Sequence, residues 1–139
     1  MSSEYKFDEI FVSMHKSFKV SIDRIMLNRF VELSGDTNPM HTDNEYARIN
    51  GFNDKVIHGL LTSSFYSTLV GVHLPGKYCL LNKIDIQFIN PVYLGDLLDV
   101  FGEVTYMNAS YKQIEIKAFI TNQKKEKISK ANIRVVVFK

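Results

Sequence analysis

The hydrophobic period of this chain changes once, at Pro75-Gly76, and that change decides which folds are open to it. Beyond that point apolar residues recur at every second position in four runs. Ile84, Ile86 and Phe88 alternate with Asp85 and Gln87. Leu98, Val100, Val104 and Tyr106 alternate with Asp99 and Glu103. Ile114, Ile116, Ala118 and Ile120 alternate with Gln113, Glu115 and Lys117, and Ala131, Ile133, Val135 and Val137 with Asn132 and Arg134. A period of two sends one set of side chains to each face of a strand. Turn formers separate the runs: Asn90-Pro91 with Gly95-Asp96, then Asn108-Ala109-Ser110, then Asn122 to Lys127. Short connections predict antiparallel neighbours, with one face wet and one dry.

Ahead of Pro75 the pattern is helical. Ser17 to Val20 reads as a short first strand. Ser21 reads as an N-cap, with Asp23 favourable in the first turn of the helix that follows. Ile22, Ile25, Met26, Phe30 and Leu33 form one face of that helix, which stops at Ser34-Gly35. Asp36 to Met40 cannot continue it, because Pro39 disfavours helix at Asn38. A second short helix is expected from Asp43 to Asn50-Gly51. His58 to Val72 is the longest helical run, with an apolar ridge of Leu61, Phe65, Leu69 and Val72. Beside the ridge runs a line of small residues, Gly59, Ser63, Ser67 and Gly71. Small residues let a sheet, a backbone or a ligand come close. This helix is the expected cover for the dry face of the sheet. The class is therefore α+β. Its 139 residues suit one domain, 1–139, with no Pro/Gly/Ser linker and no internal repeat.

Charge and cysteine usage exclude several functions. Seventeen basic and 15 acidic residues leave a formal charge of +2, too little for a dedicated nucleic-acid binder. The Lys124-Lys125-Glu126-Lys127 cluster reads as a solvated hairpin tip. Cys79 is the single cysteine, so no internal disulfide forms, which fits a reducing compartment. Without basic neighbours other than Lys77, it reads as a buried or idle thiol and not a nucleophile. The first residues lack an apolar run, so no signal peptide is expected. No stretch of about 18 apolar residues is present to span a membrane. The expected location is cytoplasmic.

Two segments carry groups suited to chemistry. In Ser34-Gly35-Asp36-Thr37-Asn38-Pro39-Met40-His41, an acid and an imidazole lie close together on a turn-rich stretch. An imidazole titrates near pH ~6.5 while a carboxylate stays ionised, so the two can hold a water and move its protons. Asp and His are also ordinary turn formers, and spacing alone does not choose between these roles. The second segment, His58-Gly59-Leu60-Leu61, opens the long helix. A helix start offers free N–H groups and partial positive charge, and Gly59 allows close approach to them. An oxygen gaining negative charge would be stabilised there. Equally, His58 and Gly59 can simply shape the turn into the helix. His15 and His73 read as surface or helix-end residues.

Taken together, Gly35-Asp36-x-Asn38-Pro39-x-His41-x-Asp43, Val56-Ile57-His58-Gly59-Leu60 and Phe88-Ile89-Asn90-Pro91-Val92-Tyr93-Leu94-Gly95-Asp96 resemble the MaoC-like hydratases, the (R)-specific enoyl-CoA hydratases. The likeness spans roughly Phe7 to Val137. It departs at Lys55-Val56, where many relatives have a proline, and at Leu60, which replaces a common methionine. The resemblance implies a hot-dog fold, a long central helix wrapped by a curved antiparallel sheet. It further implies a homodimer, with the acyl chain entering near the subunit interface. Asp36 and His41 correspond to the pair that holds the reacting water. Gly59 corresponds to the residue whose N–H meets the thioester oxygen. Ser67 corresponds to a supporting serine, and Asn38 is expected to shape the site. Val70, one turn beyond Ser67, is a wall residue of the acyl pocket or part of the core.

The reaction so implied is reversible hydration of a trans-2-enoyl thioester to an (R)-3-hydroxyacyl thioester. Coenzyme A or an acyl carrier enters only as part of the substrate, and no other cofactor is expected. No metal is expected, since the motif lacks a third ligand and its loop holds one histidine. The competing readings are a 3-hydroxyacyl-thioester dehydratase acting on carrier protein, a hot-dog acyl-CoA thioesterase, and an acyl-thioester binding module without turnover.

Overall fold

The computed structural model describes residues 1–139. The strands are β1 (His15–Ser21), β2 (Cys79–Phe88), β3 (Leu97–Asn108), β4 (Gln113–Thr121) and β5 (Lys127–Val137). The helices are α1 (Arg24–Ser34), α2 (Pro39–Thr42), α3 (Asn44–Ile49) and α4 (Gly59–Thr68). A π turn, Leu69–His73, prolongs α4, so the long helical run ends within a residue of the expected place.

The five strands form one antiparallel sheet in the order β1-β3-β4-β5-β2. Strands β3, β4 and β5 are neighbours in sequence and in space, as their short turns require. Strand β2 breaks that expectation by pairing with β5. Both sides of β3 are taken, by β1 and β4, so no edge of it is left for β2. The dry face follows the period-two pattern closely in β4, where Ile114, Ile116, Ala118 and Ile120 are all buried. In β3 the pattern holds through Val104 and then slips. A register shift between Val104 and Tyr106 turns Tyr106 out to solvent and brings Met107 against the core. One inserted residue reverses the faces beyond it.

The sheet curls round α4, the arrangement that the resemblance implied. Leu61, Tyr66 and Leu69 are buried on this helix. A Cβ at Gly102, in the middle of β3, would stand 2.6 Å from Leu69 Cδ2, so the bare glycine lets the helix settle onto the strand. Tyr66 Oη lies 2.8 Å from Ser129 Oγ and ties α4 to β5. Burial pushes the Tyr66 phenol up to about 12, so it serves as a neutral hydrogen-bonding group. The line of small residues is divided: Ser63 is buried, whereas Ser67 and Gly71 face solvent.

Two details of α1 differ from the sequence reading. Its cap is Asp23, whose carboxylate accepts from the Met26 N–H at 2.8 Å. Ser21 is not the cap, because the β1 ladder extends to it and pairs it with Leu97. The covered face holds Leu27 with Met26, Phe30 and Val31, whereas Ile25 and Leu33 are exposed. Adjacent stripes of this helix are both apolar, and packing selects one of them. The short helix from the Asp43 cap to Asn50 forms as expected, with the Asp43 side chain accepting from Tyr46 N–H. No helix is long and apolar enough to cross a membrane.

Candidate active site

Helix α1 ends on Gly35, whose φ of 70° lies in the left-handed region that glycine adopts without strain. The chain turns away there and presents Asp36. Asp36 Oδ1 accepts the Asn38 N–H at 3.1 Å, and Asn38 Oδ1 accepts the Met40 N–H at 2.9 Å. Asn38 thus caps α2, with Pro39 in the first helical position where its missing N–H costs nothing. Gly35 stops one helix and Pro39 starts the next, and His41 rides on that single turn.

An extended strut, Val56 to His58, locks this loop from outside. Its Val56 N–H donates to Met40 O at 2.9 Å, and its Ile57 N–H donates to Val92 O at 2.8 Å. His41 Nδ1 lies 2.7 Å from Val56 O. A carbonyl only accepts, so Nδ1 carries the proton and the neutral ring keeps its lone pair on Nε2. That Nε2 stands 3.8 Å from Asp36 Oδ2. The gap is too wide for a direct hydrogen bond and suits one water held by both groups.

Gly59 opens α4, so its N–H has no acceptor within the helix. On the other side of the same peptide, His58 O accepts from Leu61 and Thr62 N–H at 3.0 and 3.2 Å. Those bonds polarise the peptide and strengthen the free N–H as a donor. The ring of Phe88 lies across Gly59, where a Cβ would stand 2.7 Å from Phe88 Cε1. Asp36, His41, His58 and Gly59 all line one cavity of about 710 Å³, a size typical of ligand pockets, whose apolar wall includes Phe30, Phe52 and Phe88.

Of the residues singled out in the sequence, Asp36, His41 and Gly59 meet at this cavity. Asn38 stands behind it as the α2 cap. Ser67 is exposed on α4 and is absent from the cavity wall, two turns beyond Gly59. Val70 is 3% exposed in the core and is likewise off that wall. The side chain of His58, read from sequence as a shaper of the turn, is part of the cluster. It is 2% exposed, and its Nε2 lies 3.0 Å from Asp36 O and 3.9 Å from Asp36 Oδ2. The local signal for it is a histidine set among apolar residues, Val56-Ile57 before and Leu60-Leu61 after, at a helix start.

His58 also corrects the reasoning about metals. The third donor that the loop lacks comes from the strut, and Asp36, His41 and His58 each place a donor atom within 4.8 Å of the others. The rings of His41 and His58 are nevertheless stacked, with centroids 3.8 Å apart and planes 27° from parallel. Lone pairs lying in two such planes do not converge on one nearby ion. The ring nitrogens here are arranged for hydrogen bonding.

Cys79 lies in β2, away from this cavity wall. Burial pushes its thiol up to about 11. Near neutral pH its thiolate is therefore about 100-fold scarcer than that of an ordinary thiol. Iodoacetamide will alkylate the folded protein about 100-fold more slowly than the urea-unfolded chain. Equal rates would mean that the side chain is open to solvent in the fold.

Residues 11–127 match the MaoC like domain. Among curated relatives, an (R)-specific enoyl-CoA hydratase of Rhodospirillum rubrum is 29% identical over 115 residues, covering 83% of this chain and 80% of the relative. A 3-hydroxybutyryl-CoA dehydratase of Methylorubrum extorquens is 31% identical over 98 residues, covering 70% of this chain and 62% of the relative. Among solved structures, the unliganded R-hydratase of Pseudomonas aeruginosa superposes with a TM-score of 0.90 at 26% identity. That superposition covers 98% of this chain and 87% of the other.

Proposed function

The chain belongs to the MaoC-like domain family, and from that premise we propose that it adds water reversibly across a trans-2-enoyl thioester to give an (R)-3-hydroxyacyl thioester. The observation that carries this reading is the convergence of Asp36 Oδ2 and His41 Nε2, 3.8 Å apart, on the cavity that Gly59 also lines.

In this reaction the thioester carbonyl makes C3 electrophilic. A water held between Asp36 and His41 attacks C3, and electron density moves through C2 onto the carbonyl oxygen. The Gly59 N–H, backed by the helix start, stabilises the resulting enolate, a contact of a kind worth about 2.7–4 kcal/mol. The hydroxyl of the water becomes the C3 hydroxyl. Its proton, taken by the Asp36–His41 pair, returns to C2, and the enolate collapses to the thioester. Nothing is oxidised or reduced, so coenzyme A or a carrier thiol acts only as the handle of the substrate. Val56 O keeps His41 in the tautomer that can accept the proton.

The reverse direction, loss of water from a 3-hydroxyacyl thioester, uses the same groups and is the direction that names the M. extorquens relative. We take the working protein to be a cytoplasmic homodimer. The outer edge of β2, unpaired within the chain, is available for a partner. Purified protein mixed with crotonyl-CoA is expected to consume the enoyl absorbance and form 3-hydroxybutyryl-CoA without releasing free thiol. Release of free coenzyme A would point to a thioesterase. Binding without conversion of any enoyl thioester, short or long, would overturn the hydratase reading.

A further inference from the structure

His58 is one of the most deeply buried titratable side chains beside the cavity, yet the chemistry above gives it no step. Three restraints meet on it. First, its Nε2 lies 3.0 Å from the backbone oxygen of Asp36, 22 residues earlier in the chain. That carbonyl only accepts, so Nε2 carries the proton. Second, one ring neighbour is His41, stacked with centroids 3.8 Å apart. Third, Phe30 packs at 4.9 Å with its plane tilted by 57°. Nδ1 is buried with no hydrogen-bond partner.

We propose that His58 is a positioning residue for the Asp36–His41 pair. Its N–H pins the backbone that presents the Asp36 carboxylate. Its face blocks the His41 ring from tipping out of plane, while Val56 O fixes the same ring in plane through Nδ1. Two restraints at right angles leave His41 Nε2 a single direction, toward Asp36 Oδ2. A shift of about 1 Å in such a group can cost about 100-fold in rate. The proposal rests on the hydratase reading for its kinetic consequences, and on geometry alone for its structural ones.

Three substitutions separate the two restraints. His58→Gln keeps a donor near Nε2 and loses the stack. His58→Phe keeps a stacking ring and loses the donor. His58→Leu keeps bulk and loses both. With crotonyl-CoA, His58→Leu is expected to lower kcat about 100-fold with KM little changed, and Gln and Phe each to recover part of the loss. Equal kcat in the Leu variant and wild type would overturn the proposal. So would Gln and Phe variants no better than Leu when all three melt together. If the Leu variant does not fold, the kcat of the Gln and Phe variants against wild type decides: partial loss in each supports the proposal, and no loss in either overturns it. A readout independent of turnover is the nitrogen-resolved NMR spectrum of the His41 ring. A single Nδ1–H tautomer in wild type that becomes averaged in the Leu or Gln variant, both of which lose the stack, supports the proposal even if the wild type hydrates none of the thioesters tried. A His41 spectrum unmoved in every folded variant overturns it.

Discussion

Replacing His41 by asparagine will lower kcat for crotonyl-CoA hydration by about 10²–10⁴-fold while leaving the protein folded. Asparagine offers a side-chain N–H near the position of Nδ1, so the bond to Val56 O can persist. It has no basic nitrogen at the position of Nε2, so the water loses its partner opposite Asp36. Asp36→Asn should cost a similar factor for the complementary reason. Its Oδ1 can still accept from the Asn38 N–H, which preserves the turn, but the carboxylate that shares the water is gone. The double variant should be little worse than either single one, because two groups holding one water act as a unit. Steady-state rates and thermal midpoints measured on the same preparations check all three statements. Single variants that keep more than about a tenth of wild-type kcat would remove the pair from the chemistry.

Leu69→Ala is expected to cost about 2–5 kcal/mol in urea unfolding, the largest stability loss we anticipate for a single truncation. Leu69 is fully buried where α4 gives way to the π turn. Its Cδ2 occupies the space that a side chain at position 102 would fill, with Ile116 Cγ2 close by. Truncation leaves a void between helix and sheet that a curved five-stranded sheet cannot close without moving β3. A shift in midpoint at constant m-value would report stability alone. A loss below about 1 kcal/mol would mean that the helix and sheet collapse into the space, and that their contact is looser than it looks.

The strands and the long helix were legible in the sequence because each states its own period over many residues. Strand β4 is the clearest case, four inward residues in strict alternation. What failed needed information from elsewhere in the chain. The cap of α1 moved from Ser21 to Asp23 because β1 claims Ser21 through its pairing with Leu97. Tyr106 turned outward because a bulge against β4 reversed the strand locally. The partner of β2 was hidden because β1, from the far end of the sequence, already occupies an edge of β3. At the site, the Asp36–His41 pair was visible as a motif on one loop. The side chain of His58 was not, because its bond to Asp36 O and its stack on His41 join segments that only the fold brings together. Likewise, whether Val70 faced a pocket or the core was open until the π turn placed it in the core.

The division of labour along the chain has a thermal consequence. Helices α1 and α3 each bury one residue fully, Leu27 and Ala47, and α2 buries none. The strands and α4 hold most of the remaining core. The carboxylate and the imidazole thus sit on the helical segment with the fewest fully buried side chains, docked onto a body that holds most of the core. Sparse anchoring lets such a segment open below the global unfolding point. Warming should therefore silence the enzyme while its sheet is still intact, and cooling should restore it. Evolution toward hotter habitats would be expected to reinforce the docking of this segment before it alters the curled sheet beneath.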